Sequence, residues 1–226
     1  MASETNPATA PPSARMRLRR GAHLGRYDRS EVIEVLDAGV IAHVGVGTPD
    51  GPVVIPMAYG HDGEHLYLHG AVANAALKAA DGQDVCVTVT VVDGLIFARA
   101  AFHNSMRYRS VVIRGRASRL HDPADHERAL AIVSDHVAPN WDSARPPTAT
   151  ELRKTMSMVV PLTEAAAKIR DGGPNDEPDD IDGPYWAGTV PIITTFGDAI
   201  PSPDLPTGVA PRPEIDALTG RPVHPR

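Results

Sequence analysis

The run VIAHVGVGTPDGPVVIPMAYGHDGEHLYLHG, residues 40–70, decides the fold. VIAHVGVG (40–47), PVVIPMAY (52–59) and LYLHG (66–70) have the apolar content of strands. The joints between them, TPDG and GHDGEH, each carry Asp-Gly, the strongest short hairpin signal. Three strands in an antiparallel meander follow. Pro56 falls inside the second strand and removes one ladder donor, which predicts an edge or a bulge there. An unpaired edge leaves backbone groups free for a planar ligand.

The chain then passes from strand to helix within LYLHGAVANAALKAA (66–80), with His69 and Gly70 at the joint and the helix expected at about 71–80. A polar turn at the mouth of a helix is a natural place to hold an anion. Further on, QDVCVTVTVVD (83–93) alternates valine and threonine as a half-buried strand does. Gly94 breaks it, and LIFARAAF (95–102) runs back. HNSMRYRSVVIRGRASRL (103–120) is a loop and a long strand, with Val111 and Ile113 on one face. DPADHERALAIVSDHV (122–137) predicts a helix capped by Asp122, with Pro123 at its first position and an apolar stripe of Ala129, Leu130, Ile132 and Val133. A shorter helix near 148–154 precedes a strand, TMSMVVPL (155–162).

On the N-terminal side, YDRSEVIEVLDAGV predicts a helix with an Asp28–Glu31 capping box, a Tyr27–Val32 staple and Gly39 as its stop. Six or more strands joined largely by hairpins, with a few inserted helices, give a mainly β, α+β domain: an antiparallel barrel with flanking helices. Strands and helices do not alternate, which excludes a doubly wound sheet.

Residues 1–20 are expected to be a disordered leader, 21–192 the folded domain, and 193–226 a proline-rich C-terminal arm. Within the domain, DGGPNDEPDDIDGP is an acidic loop, and PYWAGTVPI (184–192) regains apolar character. The 226 residues are 42% hydrophobic and 22% charged, as in an ordinary soluble domain. A net charge of −6 argues against a general nucleic-acid binder. The single cysteine, Cys86, excludes an intrachain disulfide framework, and its apolar surroundings predict a buried, inert thiol. No run reaches membrane-spanning length and the N-terminus lacks a secretory apolar core, so a cytoplasmic location is expected.

Several chemistries fall away. GVGTPDG lacks the third glycine of a dinucleotide fingerprint and opens a hairpin instead of a helix. Neither a P-loop nor a GxSxG elbow is present. His61, His65 and His69 are spaced by four, but they fall across a turn and a strand, where that spacing gives no common face. No metal site is expected. What remains is a set of polar residues at strand ends: His69, Gly70 and Asn74, then Tyr108, Arg109 and Ser110, then Lys168 and Arg170, then Trp186. Arginine and serine suit phosphate, and tryptophan suits stacking on a flat ring. Each has an ordinary alternative as well: Arg109 as an ion-pair partner, Trp186 as a core plug, His69 as a satisfied strand-end histidine.

RGAHLGRYDRSEVIEVLDAG, PVVIPMAYGHDGEHLYLHGA, VCVTVTVVDGLIFARAAFHNSMRYRSVVIRG and PYWAGTVPI, taken in order, resemble the pyridoxamine 5′-phosphate oxidase-related family over residues 19–192. The nearest branch is that of the FMN-binding split-barrel proteins that include the nitroimidazole-resistance reductases. The resemblance implies a split β-barrel homodimer with FMN at the subunit interface and redox use of the flavin ring. Carried over by position, Val54, Ile55 and Pro56 would lie along the ring, and His69 and Gly70 would border it. The turn from Ala71 to Asn74 would approach the phosphate, with Lys78, Arg109 and the helix-start amides able to add charge and donors there; Tyr108, Arg109 and Ser110 would add contacts, and Trp186 would cover the site. His69 is the expected catalytic group, donating a proton near the flavin. Electrons would pass from a reduced nicotinamide to a small acceptor such as a nitro compound or quinone; a flavin- or haem-binding protein without turnover is the alternative. The chain departs from the relatives at one point. Where they commonly have HGS and then Ser-Arg, it has HGA and then Asn74-Ala75. A lost arginine removes a charge-assisted contact worth about 1.5–3 kcal/mol, which leaves a deazaflavin or haem ligand open.

Overall fold

The computed structural model describes residues 10–225. Its strands are β1 (Gly25–Arg26), β2 (Ile41–Thr48), β3 (Gly51–His61), β4 (His65–Ala71), β5 (Asp84–Phe97), β6 (Ser105–Arg116), β7 (Ser118–Arg119), β8 (Thr155–Pro161), β9 (Ala165–Arg170) and β10 (Gly188–Pro191). The helices are α1 (Arg29–Ala38), α2 (Ala75–Ala80), α3 (Pro123–Val137), α4 (Ala149–Lys154) and α5 (Pro213–Asp216). All pairings are antiparallel, in the order β1-β9-β6-β5-β2-β3-β4-β8-β7, with β10 added to β5. Only Ala117 separates β6 from β7, yet these strands sit toward opposite ends of that order, so the sheet curls back on itself into a split barrel.

The meander read from residues 40–70 is present as β2-β3-β4, and Gly51 and Gly63 adopt positive φ in its two turns. Asp62 organises the second turn: its carboxylate accepts from the Glu64 and His65 amides and from the Tyr67 hydroxyl. Inward-facing Val44, Val46, Val87, Val89, Val111 and Ile113 fill the barrel, and α1 closes one end with Val35 and Leu36. The strand 83–93 and the run 95–97 form one continuous strand, β5, because the break at Gly94 is a register shift and not a turn.

Three terminal signals play out differently from their reading. Asp28 stands at the N-cap of α1 without a side-chain capping bond, and Glu31 pairs with Arg26 at 3.1 Å instead of completing a box. Helix α2 starts at Ala75, later than the expected 71, because the Asn74 carboxamide oxygen caps the Ala76 and Leu77 amides. In the expected leader, residues 1–9 lie outside the described residues, whereas Met16 is buried and the Leu18 amide donates to the Tyr27 hydroxyl at 2.9 Å. The arm is largely exposed, but its end is tied down: His224 Nδ1 lies 2.7 Å from the Ala38 carbonyl.

Helix α3 lies across β3, β4 and β8, and four contacts hold it there. Tyr67, Ala129 and Val133 form a small apolar cluster. Arg128 reaches Asp62 at 2.9 Å. His126 Nδ1 meets the fully buried Ser157 hydroxyl at 2.9 Å, and His136 Nε2 donates to the Gly39 carbonyl at 2.9 Å. Gly60 makes the approach possible, since a Cβ there would come within 2.5 Å of the Ile132 carbonyl oxygen.

Candidate functional site

Strand β3 carries the edge that Pro56 foretold. Along Gly51–Ala58 it pairs with β2, while its pairing with β4 is confined to Tyr59–His61. The second edge of Gly51–Ala58 therefore has no strand partner among the described residues. Alternation turns Val53, Ile55 and Met57 toward the core and leaves Val54 and Pro56 exposed, Val54 at 63%. The expected ring-lining trio thus divides: Val54 and Pro56 face outward, whereas Ile55 packs inward.

The strand-to-helix joint meets this edge. A Cβ on Gly70 would lie 2.7 Å from Leu77 Cδ1, 3.6 Å from Asn74 Nδ2 and 3.7 Å from Met57 Cε. Gly70 is therefore the point where β3, β4 and α2 come together, and only a residue without a side chain fits without displacing buried Leu77. Asn74 spends its oxygen on the helix cap, which leaves its NH2 group for a ligand. Lys78 projects from α2, exposed, with no ion-pair partner among the described residues.

His69 faces the other way, as the residue before Gly70 on a strand must. Its ring lines a cleft of about 420 Å³ roofed by α3, the 138–148 connection and α4. From α3 come Leu130, Val133, Ser134 and Val137, a single i, i+3, i+4, i+7 stripe, continued by Ala138 just past the helix end. Trp141, Pro147 and Leu152 extend the apolar wall, and Ala58 and Thr155 form the floor beside His69. Partial burial against these groups pushes the His69 imidazole below the ordinary histidine range. The one acid on the rim, Glu151, is held by Arg145 at 2.8 Å and by the Thr148 amide at 2.6 Å, and its carboxyl is lowered to about 2 by Arg145 and Thr148.

The remaining expected residues sit elsewhere on the protomer. Arg109 grips Asp93 through two bonds of 3.0 and 2.9 Å and donates to the Pro225 carbonyl at 2.7 Å. It is the ion-pair partner of its ordinary reading. Ser110 and Tyr108 both face Lys168, through a 3.4 Å hydrogen bond to its carbonyl and a cation–π contact at 5.9 Å. Trp186 is exposed and packs on Phe97, with ring centroids 6.0 Å apart, so it is not a core plug. The chain brings Gly70 and Asn74 together beside Met57 of β3, leaves Val54 and Pro56 exposed along that strand, and turns His69 to the opposite face, while Tyr108, Arg109, Ser110 and Trp186 lie apart. Sequence reasoning missed the cleft over His69. Of the α3 stripe read from the sequence, only Leu130 and Val133 line the cleft, and their contribution to a pocket depends on the long return of the chain through α4. No group of three or more potential metal-ligating His, Cys, Asp or Glu side chains is assembled among the described residues. Nor is any helix among them long and apolar enough to cross a membrane.

Comparison with known proteins places this geometry. The sequence profile described as pyridoxamine 5′-phosphate oxidase matches residues 28–169. Flavocytochrome Anf3 from Azotobacter vinelandii is similar at 34% identity over 94% of this chain and 100% of its own, with a TM-score of 0.89. A FAD and heme binding protein from Mycobacterium smegmatis is similar at 29% identity over 89% of this chain and 100% of its own, with a TM-score of 0.84. A candidate 5-nitroimidazole antibiotic resistance protein from Bacteroides thetaiotaomicron, at 22% identity and a TM-score of 0.56, shares the fold over 64% of this chain and 86% of its own. No curated protein matches the chain. The profile spans well over half of the sequence and the first structure is matched almost end to end: the chain belongs to the pyridoxamine 5′-phosphate oxidase family.

Proposed function

We propose that this protein binds a flavin and a haem at two sites that share strand β4, and that it serves as a redox protein. The observation that carries the reading is the opposed orientation of two neighbours: Gly70 meets the free edge of β3, while His69 opens into the apolar cleft under α3. A flat ring along β3 would find unpaired backbone groups and the exposed Val54 and Pro56, with Asn74 and Lys78 toward its phosphate end. The cleft has the chemistry of a haem pocket: walls of leucine, valine and tryptophan, and one imidazole whose neutral form has a lone pair for iron. The comparisons support both halves. The two similar structures named for a flavocytochrome and for FAD and heme binding follow this chain over 94% and 89% of its length, well beyond the 64% shared with the nitroimidazole-type structure.

When bound, the flavin supplies two-electron and one-electron redox chemistry and the haem one-electron chemistry. The chain binds, orients and shields. Met57 and Leu77 wall off the flavin edge from the barrel core, and α3, the 138–148 connection and α4 set an apolar wall around His69. We read the flavin as FAD and not FMN, because the turn at Asn74 and Lys78 offers one cation where a phosphate monoester wants a charged clamp, and because the Mycobacterium relative is named for FAD. The separated Tyr108, Ser110 and Trp186 fit the reading if two copies pair so that one protomer's set faces its partner's β3 edge, with Arg109 bracing that surface through Asp93. The exposed Ile41, Val54 and Val92 on β2, β3 and β5 provide apolar surface for that pairing. A reduced nicotinamide as donor and a small acceptor complete the proposal.

The absorption spectrum of the purified protein tests this reading. Flavin bands together with a Soret band are expected, with FAD released on denaturation and identified by chromatography. A protein that carries flavin alone and does not take up added hemin would overturn the haem half, and one that binds neither would overturn both. Oxidation of NAD(P)H with a nitroaromatic or quinone acceptor then separates an enzyme from a storage protein.

A further inference from the structure

The cleft that faces His69 contains no second group suited to iron. Across from the imidazole, α3 presents Leu130, Val133 and Val137, followed by Ala138 just past the helix end, none of which can coordinate, and the hydroxyl of Ser134. Among the cleft's lining residues there is no other histidine, and no methionine, cysteine, tyrosine or lysine, the side chains that ligate haem iron from a protein. Glu151 is the one carboxylate, and Arg145, the Thr148 amide and the Thr148 hydroxyl occupy it from three sides. Ser134 and Thr155 are the only hydroxyl groups in the lining.

We propose, building on the haem reading above, that His69 is the one iron ligand the described residues supply in the cleft, and that the space opposite it is open to a small exogenous ligand. The site is then a receptor for diatomic molecules or small anions, in contrast to a haem closed on both faces for electron transfer alone. The wall opposite His69 favours such ligands. Branched aliphatic side chains make the wall apolar, and Ser134 offers one hydrogen-bond donor on the helix stripe that roofs the pocket. Val137, 43% exposed at the rim, lies where a small molecule would enter.

Hemin titration of the full-length protein, followed by absorption and electron paramagnetic resonance, tests this. The ferric form is expected to be high-spin; added imidazole or cyanide should shift the Soret band, and the reduced form should bind carbon monoxide. A low-spin spectrum unaltered by these ligands would overturn the open site while leaving the haem reading intact. Failure to take up hemin would overturn the haem reading itself. His69→Gly should lose the Soret signature and regain it with millimolar imidazole, which occupies the vacated ligand position. An unchanged spectrum in that variant would assign the iron to another residue. Leu130→Trp, which fills the cleft from the α3 side, should block hemin uptake while the far-ultraviolet circular dichroism stays that of the wild type; undiminished uptake would place the haem elsewhere.

Discussion

At the scale of single residues, three side chains separate what is structural from what serves a ligand. Arg109 looked like a phosphate ligand from its place in YRS, but its donors are committed to half-buried Asp93 and to the C-terminal Pro225 carbonyl. Arg109→Ala is therefore expected to cost about 1–3 kcal/mol by stranding Asp93. Its melting temperature should fall while flavin affinity changes less than threefold; a stable variant with a large affinity loss would restore the phosphate role. Asn74 works first as a helix cap, so Asn74→Ala should cost about 1 kcal/mol even in the protein stripped of cofactor. Chemical denaturation of the apo-protein checks this.

His136 is the third. Burial, reinforced by nearby His61 and offset by its bond to the Gly39 carbonyl and by Asp37, lowers its pKa; Tyr59 stacks on its ring at 4.5 Å. Above the ordinary histidine range the ring is neutral in both the folded and the unfolded chain, and its packing contributes fully. As the pH falls, the unfolded chain takes up the proton first and the folded state resists it, so stability is lost. Between about pH 7.5 and about pH 5.5 the wild type should lose more thermal stability than His136→Gln does, a comparison that scanning calorimetry makes directly. Equal losses would assign the acid sensitivity to other groups.

At the scale of elements, α3 and α4 shape the cleft over His69. α3 is clamped at both ends, by His126 on Ser157 of β8 and by His136 on the Gly39 carbonyl that follows α1, with Arg128 on Asp62 between them. A side chain at Gly60 would push the helix away from β3. Gly60→Val should thus open the cleft, weaken hemin binding at least tenfold and lower the melting temperature; retained affinity would mean that the roof does not shape the site. The meander and α3 were legible because Asp-Gly turns, alternation and a proline at the first helical turn are local codes. The free edge at Pro56 was legible for the same reason. The late start of α2 was not, because Asn74 competes with its own backbone for the cap. The cleft was not legible either. It is made by residues from β3, β4, α3 and α4 that only the tertiary structure brings together.

At the scale of the whole molecule, a curled antiparallel sheet offers two useful surfaces where one strand ends. The inner side of β4 closes on α2 at Gly70, and the outer side accepts an added helical roof. The edge proposed for the flavin and the roofed cleft proposed for the haem are then separated by the thickness of a single strand, which would be a short distance for electron exchange. A second copy pairing over the exposed residues of β2, β3 and β5 would complete the flavin edge. Light scattering should give a dimer, and Val54→Glu, at a 63% exposed position, should shift it toward monomer with loss of flavin. A dimer that is unchanged and still flavin-loaded would place the interface elsewhere.

The central claim is that neighbouring residues serve two separate cofactors. It is tested most directly by the cofactor content of purified His69→Ala beside the wild type, with flavin and haem each counted per chain. The account predicts that the variant loses its haem and keeps its flavin. Retention of both, or loss of the flavin with the haem kept, would contradict it.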